Sequence, residues 1–247
     1  MQTLNAESSV IPFIEETFKL KEGLKVLEVG CAEGGVLKAF VKRGCYGVGV
    51  ELDQSRKEMA EQFMALDISE NKCRFINKNI YDATFESEFH EMFDLIVLKD
   101  VIEHIHEQQK VMFQLYKFLK PEGKIFFGFP PWRMPFGGHQ QIAQSKFLSK
   151  LPYFHLLPMG LYRWVLKSFG EHPDGLVEIK ETGISIARFE KISKNAEFQI
   201  ENELHYLINP IYAYKFGLKT RIQFPLIKKI SYFRDFVTTA VFYLLKK

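Results

Sequence analysis

The chain has 247 residues, 47% of them hydrophobic, and a formal net charge of +3, so it is long enough to bury a full core as one large domain. So small a positive balance does not indicate a nucleic-acid-binding protein, because phosphate recognition requires clustered Lys and Arg side chains. The three cysteines include no Cys-x-x-Cys pair and indicate neither a disulfide framework nor a zinc site. No signal-peptide pattern opens the chain and no apolar run is long enough to span a bilayer. We therefore expect a cytoplasmic protein, and we predict no metal site.

The first half of the chain alternates between helical and strand patterns. Helices are predicted over residues 9–20, 34–43, 54–66 and 108–119. Strands are predicted over residues 25–29, 46–51, 73–77, 93–98 and 123–129. This alternation is typical of parallel strands joined by crossover helices. The apolar runs DLIVL and KIFFGF are typical of strands that are covered on both faces.

The second half departs from this rhythm. Residues 130–181 are rich in Pro, Gly and aromatic side chains and predict an insertion, and residues 210–234 predict a second one. Around them we predict a helix over 185–195 and strands over 198–208 and 236–245, which favour an antiparallel pair. The sequence thus predicts one α/β domain over residues 1–247. Its sheet is expected to be Rossmann-like and doubly wound, with seven strands, mostly parallel but with an antiparallel C-terminal strand, and with helices on both faces.

The turn after the first strand carries the strongest functional signal. Residues 25–40 read KVLEVGCAEGGVLKAF, and the small residues of this turn permit positive φ and let a ligand approach the backbone. The next helix begins there and offers free N–H groups, at the edge where open α/β sheets bind ligands. Two adenosine ligands fit this pattern: a dinucleotide, through Gly30-x-Ala32-x-x-Gly35, and S-adenosylmethionine.

Two carboxylates flank this turn and distinguish between the two ligands. Glu51 ends the second strand about 20 residues further on, where a carboxylate accepts hydrogen bonds from both ribose hydroxyls of either ligand. Glu28 precedes the turn, where its charge repels a pyrophosphate but attracts a ligand that carries a sulfonium and an ammonium group. The charge pattern therefore favours S-adenosylmethionine.

Four segments together resemble the class I S-adenosylmethionine-dependent methyltransferases, especially the large group with an ExGCGxG-like first motif. They are VLEVGCAEGG, GVELD, LKDVIEHI and LKPEGKIFF, and the resemblance covers most of the chain outside the two insertions. It implies a methyltransferase domain in which the insertions at about 130–181 and 210–234 form a lid on the acceptor side. It also implies that the following residues bind the methyl donor: Glu28, Gly30, Cys31, Ala32, Gly34, Glu51, Leu52, Asn79, Ile80 and Lys99.

Within this set, the resemblance places Gly30, Ala32 and Gly34 along the methionine part of the donor. Aligning FINKNIYD with the family segment after the third strand puts Asn79 where an Asp often receives the adenine amino group, with Ile80 against the ring. Asn79 departs from that pattern but can still accept through its carbonyl. Ala32, in place of the commoner Gly, is a second departure and is sterically mild.

His139 is the first candidate for a catalytic base. It lies in PFGGHQQ, just beyond the fifth strand, on a glycine-hinged loop near the expected methyl position. Imidazole suits proton removal from a hydroxyl, and the alternative is that His139 only anchors the loop. Asp100 follows the fourth strand, where it can assist a base, orient an acceptor or cap a helix. His104 is interpreted as structural.

The C-terminal region is strongly basic. Residues 211–247 contain eight Lys or Arg and one acidic residue, Asp235, with Phe, Tyr and Ile between them. Two interpretations remain open: a solvated basic face, and a face that contacts an anionic membrane surface or acceptor.

The sequence thus predicts a methyltransferase that uses S-adenosylmethionine and acts on a small-molecule, glycan or lipid-linked acceptor, at oxygen because His139 offers a base. Nucleic acid is not expected as a partner, since KDVI stands after the fourth strand where amino-methylating nucleic-acid enzymes carry (N/D)PPY. Two alternatives remain open: an NAD(P)-dependent oxidoreductase, and a non-catalytic protein that binds an adenosyl ligand.

Overall fold

The computed structural model describes all 247 residues and contains one mixed sheet of eight strands. The first five strands are parallel, whereas the last long strand runs antiparallel to both of its neighbours. The order β3-β2-β1-β4-β5-β8-β6-β7 reverses between β1 and β4, which opens a crevice at the carboxyl ends of these strands. The strands are β1 (Lys25–Val29), β2 (Tyr46–Val50), β3 (Cys73–Ile76), β4 (Phe93–Lys99), β5 (Leu119–Phe129), β6 (Gln199–Ile208), β7 (Arg221–Ile222) and β8 (Ala240–Lys246).

Helices cover both faces of this sheet. The N-terminal helical path consists of α1 (Gln2–Asn5), a π-helical turn (Ala6–Val10) and α2 (Ile11–Glu15). None of the helices combines the length and the apolar character needed to cross a membrane. The remaining helices are α3 (Gly35–Lys42), α4 (Gln54–Phe63), α5 (Ala65–Ser69), α6 (Ala83–Phe89), α7 (Gln108–Phe118), α8 (Met159–Ser168), α9 (Asp174–Thr182), α10 (Ile186–Asn195), α11 (Ile211–Phe216) and α12 (Pro225–Lys228).

The core consists of two apolar layers, one on each face of the sheet. On one face, α6, α7 and α10 pack through side chains such as Phe85, Leu115 and Phe189. On the other face, the N-terminal path, α3 and α4 pack through side chains such as Phe13 and Phe40. The central strands are buried on both sides, which is the physical reason for their nearly continuous apolar sequences.

The N-terminal helical path begins and ends earlier than predicted. The helical pattern predicted over 9–20 is observed from Gln2 to Glu15. Ala6, Val10 and Ile14 are fully buried against the sheet, so the apolar stripe extends a full turn further toward the N-terminus than the prediction assumed. Residues 16–24 form the turns that lead into β1.

The sheet has eight strands rather than seven. The extra strand, β7, has two residues, pairs with β6 and lies inside the region predicted as the second insertion. The final strand begins at Ala240 rather than at residue 236, because Phe233–Val237 forms a 3₁₀ helix. Helix α6 was not predicted; the Asp82 side chain caps it by accepting from the Thr84 N–H at 2.8 Å.

Residues 130–185 contain helical turns and α8 and α9 but no strand. This segment has a small apolar core of its own, to which α8 contributes Tyr162 and Leu166 and α9 contributes Leu176 and Val177. The segment therefore keeps a defined shape without adding to the sheet.

Candidate active site

Two adjoining cavities lie at the carboxyl ends of β1, β2 and β4. The larger has a volume of about 570 Å³ and is lined by residues that follow all three strands. The smaller, of about 60 Å³, lies between the β1 turn and the N-terminal helical path. Gly30 lines both cavities, so one elongated ligand can occupy them together.

The β1 turn is tight because three alternate small positions adopt left-handed backbone. Gly30, Ala32 and Gly34 have φ values of +67°, +46° and +75°, and a Cβ at Gly30 would lie 2.8 Å from the Val101 side chain. Gly34 does not line either cavity; a Cβ there would meet Phe75, on the far side of the turn. Gly34 therefore shapes the turn, whereas Gly30 and Ala32 face the ligand space.

Glu51 holds the turn and the end of β2 together. Its carboxylate accepts from the Ala32 N–H at 2.9 Å and from the Asp53 N–H at 3.0 Å. The Asn77 amide donates to the carbonyls of Glu51 and Leu52, each at 2.8 Å. Glu51 and Leu52 both line the larger cavity. The carboxylate is thus fixed in position and retains lone pairs for ligand hydroxyls.

Glu28 and Lys99 place a carboxyl group and an ammonium group at the narrow end. Both line the smaller cavity, as do Cys31 and Ala32. Glu28 is buried, and its Oε2 atom has no hydrogen-bond partner. Burial raises the pKa of Glu28 to about 8, with the Leu37 N–H and Lys99 acting in the opposite direction. A buried carboxylate without a partner is unfavourable, and a cation bound in the adjacent cavity would stabilise it.

The larger cavity also offers an apolar side chain and an amide next to each other in the chain. Ile80 is buried and lines it, as does Asn79. The Asn79 carbonyl accepts from the Tyr81 N–H at 3.0 Å, which orients the side chain, and its second lone pair is available to a ligand. Arg56 and Lys78 also line this cavity.

These residues fit the sulfonium donor expected from the sequence. The orphaned oxygen of Glu28 and the ammonium of Lys99 match the two charges of an amino-acid end, and Gly30 leaves the backbone accessible in the middle. Glu51 stands where a ribose would lie, and Ile80 offers an apolar contact for an adenine ring.

On the other side of the larger cavity lie Asp100 and His104, which both line it. Asp100 has a φ of +57°, its N–H donates to the Gly128 carbonyl at 2.7 Å, and its carboxylate pairs with Lys99. A left-handed backbone in a non-glycine residue costs roughly 1–2 kcal/mol and is concentrated at functional sites. The His139 ring lies 5.0 Å from the His104 ring, edge to face.

The loop that carries His139 is fixed by close packing. A Cβ at Gly137 would lie 2.1 Å from the Trp132 carbonyl oxygen, and one at Gly138 would lie 2.3 Å from the His155 side chain. These glycines therefore allow the backbone to pack tightly and do not act as the hinge that the sequence suggested. Gln140 is fully buried and bonds to the Pro135 carbonyl at 2.9 Å and to His155 at 3.2 Å.

Burial lowers the pKa of His139 to about 4 and lowers the pKa of His104. His139 itself does not line either cavity, but its neighbour His104 does. Both imidazoles are therefore neutral near pH 7 and can each accept at one ring nitrogen.

Most of the predicted donor residues come together, and some site residues were missed. Of the predicted donor set, only Gly34 lies outside both cavity linings. Gln2 and Glu103 were missed: Gln2 closes the narrow end from α1, and the buried Glu103 lies beside His104 and His139. No local pattern marks Gln2, and the only sequence signal for Glu103 is its place in the segment LKDVIEHI.

Comparison with known proteins identifies the family of this chain. A family model described as a methyltransferase domain matches residues 4–150, more than half of the chain. A ubiquinone biosynthesis O-methyltransferase from Coxiella burnetii (strain Dugway 5J108-111) is 26% identical over 178 residues, which are 70% of this chain and 68% of that protein. A protein of the same name from Pseudomonas putida (strain W619) is 28% identical over 117 residues, 47% of this chain and 48% of its own. The chain thus spans only about half the length of that second relative.

Solved structures share the fold. A SAM-dependent methyltransferase from Aquifex aeolicus superposes with a TM-score of 0.58 at 11% identity, over 99% of this chain and 90% of that one. Geranyl diphosphate C-methyltransferase from Streptomyces coelicolor A3(2) gives 0.60 at 14% identity, over 97% and 80%. At these identities the likeness concerns the fold alone, and it confirms the predicted mostly parallel sheet with antiparallel C-terminal strands. Because the family model matches residues 4–150, more than half of its length, this chain belongs to the methyltransferase domain family.

Proposed function

We propose that this enzyme transfers a methyl group from S-adenosylmethionine to a hydroxyl of a small-molecule, glycan or lipid-linked acceptor. The observation that carries the proposal is the buried carboxylate of Glu28, with its unpartnered oxygen at the narrow end of a two-part cavity. A cationic adenosyl ligand satisfies that carboxylate, and a dinucleotide pyrophosphate does not.

In this proposal each end of the donor has its own residues. Glu28 receives the amino group and Lys99 the carboxylate of the methionine part, both inside the smaller cavity. Glu51 receives the ribose hydroxyls, and Asn79 and Ile80 hold the adenine. Gly30 lies between them and lets the donor rest on the backbone.

When bound, S-adenosylmethionine supplies a methyl carbon whose bond to the sulfonium sulfur breaks as the acceptor oxygen attacks. The chain contributes alignment and the exclusion of water, which account for much of the acceleration in such displacements. Asp100 and His139 are the acceptor-side groups: both stand beside His104, which faces the donor cavity. A hydroxyl acceptor also requires proton removal, for which a carboxylate and a neutral imidazole are suitable groups.

We propose oxygen as the methylated atom for two reasons. The acceptor-side groups Asp100 and His139 are able to accept a proton from a hydroxyl. The relatives from Coxiella burnetii and Pseudomonas putida carry the name O-methyltransferase, which supports the same atom for this chain.

The segments 130–181 and 210–234 are proposed to form a lid on the acceptor side. The first segment contains the closely packed loop that carries His139, and it has a small apolar core. The second contains Tyr212, whose pKa is raised by burial and by the charge of Asp100, which supports a position of this segment close to the acceptor-side groups.

The second segment is also proposed to contact an anionic membrane surface. Phe216, Phe224, Leu226 and Tyr232 are 62–74% exposed, and basic side chains lie among them. Apolar and basic residues side by side on a surface are typical of interfacial membrane binding. The basic residues do not all face solvent: Arg234 is buried and pairs with Glu190 at 2.7 Å. A cytoplasmic location stays a prediction from the three unpaired cysteines.

Sedimentation with vesicles tests the membrane contact. The protein is expected to bind phosphatidylglycerol vesicles and not phosphatidylcholine vesicles, and to lose binding on substitution Leu226→Ser with Phe224→Ser. Leu66→Ser is a matched control, because Leu66 is 70% exposed elsewhere. Equal binding of the protein to both vesicle types would contradict an electrostatic contact.

An NAD(P)-dependent oxidoreductase is the second candidate, because Arg56 and Lys78 line the larger cavity and suit a phosphate group. The third is a non-catalytic protein that binds an adenosyl ligand. The position of Glu28 argues against the second candidate, and a transfer assay decides on the third.

Calorimetry with S-adenosylmethionine, S-adenosylhomocysteine and NAD tests the proposal, followed by transfer of labelled methyl groups to fractions of hydroxyl-bearing metabolites and lipids. We expect heat with the first two ligands and label in a hydroxyl acceptor. Heat with NAD alone would favour the oxidoreductase. Donor binding without label in any fraction would favour the non-catalytic alternative.

A further inference from the structure

Three side chains converge beside the donor cavity in a way that methyl transfer alone does not require. Glu103 and His104 lie in the short 3₁₀ helix after β4, and His139 comes from the loop after β5. One ligand-type atom of each lies within 4.8 Å of the other two. Donor atoms bound to one ion at about 2.1 Å lie roughly 3.4 Å apart, so a side-chain adjustment of about an ångström brings the three together.

The environment of Glu103 independently indicates that this cluster binds a positively charged partner. Its side chain is 4% exposed, and both of its carboxylate oxygens lack any hydrogen-bond partner. A buried carboxylate without a partner is strongly unfavourable in a folded protein. A ring nitrogen of each of the two imidazoles lies within 4.8 Å of this carboxylate, and a neutral imidazole presents one lone pair.

The cluster is also held in place. His139 lies in a loop whose glycines pack against Trp132 and His155 with no room for a side chain. Fixed ligands on a rigid support are what a metal site requires.

We propose that Glu103, His104 and His139 bind one divalent first-row transition ion, and that this ion serves the acceptor side of the transfer site. Two imidazoles and one carboxylate favour ions such as Zn²⁺, Mn²⁺ or Fe²⁺ over Mg²⁺ and Ca²⁺, which prefer oxygen ligands. The set leaves coordination positions open, as in catalytic sites with three protein ligands. The proposal replaces the sequence prediction of no metal, and it assigns His139 the role of a ligand instead of a free base.

The location of the site gives the ion a chemical task, and this step rests on the function proposed above. His104 lines the donor cavity, so an acceptor oxygen bound at an open position would face the methyl group. Coordination lowers the pKa of a bound hydroxyl. The hydroxyl proton passes to Asp100, which is 44% exposed at its side chain and hands the proton to water.

The step is balanced without any further reactant. A lone pair of the acceptor oxygen forms the bond to the methyl carbon, the bond between that carbon and sulfur breaks, and its electron pair stays on sulfur. The products are a methyl ether, S-adenosylhomocysteine and one proton. No oxidation or reduction takes place, so the ion needs no change of valence.

Spectroscopy with Co²⁺ and calorimetry with Zn²⁺ test the site independently of activity. Protein stripped with EDTA is expected to bind one equivalent of Zn²⁺. Co²⁺ is expected to give the visible absorption of a four- or five-coordinate site. Glu103→Gln and His139→Asn should each weaken Zn²⁺ binding at least about 100-fold and abolish the Co²⁺ band. His90→Asn is the matched control, because His90 is exposed at the end of α6, and it should change neither.

Several outcomes would overturn the metal site while leaving the transferase intact. They are a wild-type protein without a Co²⁺ band, a band that survives both substitutions, or full methyl transfer in EDTA. In each case S-adenosylmethionine would still bind in calorimetry. Absence of donor binding, with the Co²⁺ band present, would instead refute the proposed transferase and keep the site. If a variant fails to fold by circular dichroism, Glu103→Asp, which retains a carboxylate, serves in its place and should shift the band.

Discussion

The donor side of the site is built on the ends of β1, β2 and β4, whereas the acceptor side is built on loops and on segments that return from distant parts of the chain. On the donor side, Glu28, Gly30 and Glu51 sit within or just after a strand, and their positions follow from the sheet. On the acceptor side, the loop that carries His139 is positioned by Gly137 packing against Trp132 and Gly138 packing against His155. The first side is fixed by hydrogen bonds of the backbone, and the second by packing between side chains and irregular backbone.

This difference decides what the sequence could predict. Strand β1 was predicted at its observed bounds and β2 to β4 to within one residue, because buried parallel strands leave unbroken apolar runs. The turn residues were recognised for the same reason: they follow a strand that could be located.

The acceptor side could be predicted only in part. His139 was recognised as a site residue, but its partner Glu103 is brought close by a contact across more than 30 residues, which no local pattern reports. The glycines before His139 were interpreted as a hinge, whereas their missing side chains make room for the Trp132 carbonyl and for His155. Sequence alone does not distinguish a flexible glycine from a close-packed one.

The largest expected effect is on the donor side. Glu51→Ala removes the two contacts expected with the ribose and leaves the N–H groups of Ala32 and Asp53 without their acceptor. Charged hydrogen bonds contribute about 1.5–3 kcal/mol each, so donor affinity in calorimetry should fall by about two orders of magnitude or more. Glu58→Ala, at an exposed position on α4, should leave it unchanged. An affinity within about threefold of wild type would remove Glu51 from the donor site.

A single added side-chain carbon in the His139 loop should lower turnover without changing donor affinity. Gly137→Ala puts a Cβ against the Trp132 carbonyl and must displace the loop of His139. A displacement of about 1 Å costs roughly 100-fold in rate, so turnover should fall by that factor while donor affinity stays within about twofold. Gly160→Ala, where a Cβ meets nothing within 4 Å, should keep both. Normal turnover in Gly137→Ala would show that the loop is not part of the site.

The pH dependence of donor binding should sharpen the role of Glu28. The pKa of Glu28 is raised from 4.5 to about 8 in the donor-free protein, so the carboxyl is mostly protonated at pH 6–7. An ammonium group binds the ionised form, so binding releases a proton, and affinity should rise up to about tenfold per pH unit until about pH 8. Lys99 and Glu51 are the other charged groups that face Glu28. Glu28→Gln should make donor affinity nearly independent of pH over this range. Equal slopes in both proteins would contradict this assignment.

The same shift predicts the pH dependence of stability in the donor-free protein. Between about pH 4.5 and 8 the native state retains a proton on Glu28 that the unfolded state releases. The free energy of unfolding should therefore fall as pH rises through this window, and urea titration of wild type against Glu28→Gln isolates the contribution.

The smallest effect is expected at the boundary between the two sides. The Tyr214 hydroxyl donates to the Leu4 carbonyl at 3.3 Å and bonds to the Ser8 hydroxyl at 2.9 Å. Tyr214→Phe removes both, at about 0.5–1.5 kcal/mol for exposed bonds of this kind, and should weaken donor binding about two- to fivefold. Tyr232→Phe is the control. An unchanged affinity would show that α1 holds its place without this tie.

Tyr214 lies in α11, at the start of the exposed apolar and basic segment, while its partners lie in the helical path that includes Gln2 over the smaller cavity. A lipid bilayer that shifts α11 therefore also acts on the residue closing the donor pocket. Thermodynamic linkage makes such an influence mutual: whatever factor a bilayer imposes on donor affinity, the donor imposes on attachment to the bilayer. If the proposed contact of α11 with lipid tightens donor binding, the donor-loaded enzyme stays longer at the surface by the same factor; if it weakens donor binding, the loaded enzyme leaves sooner.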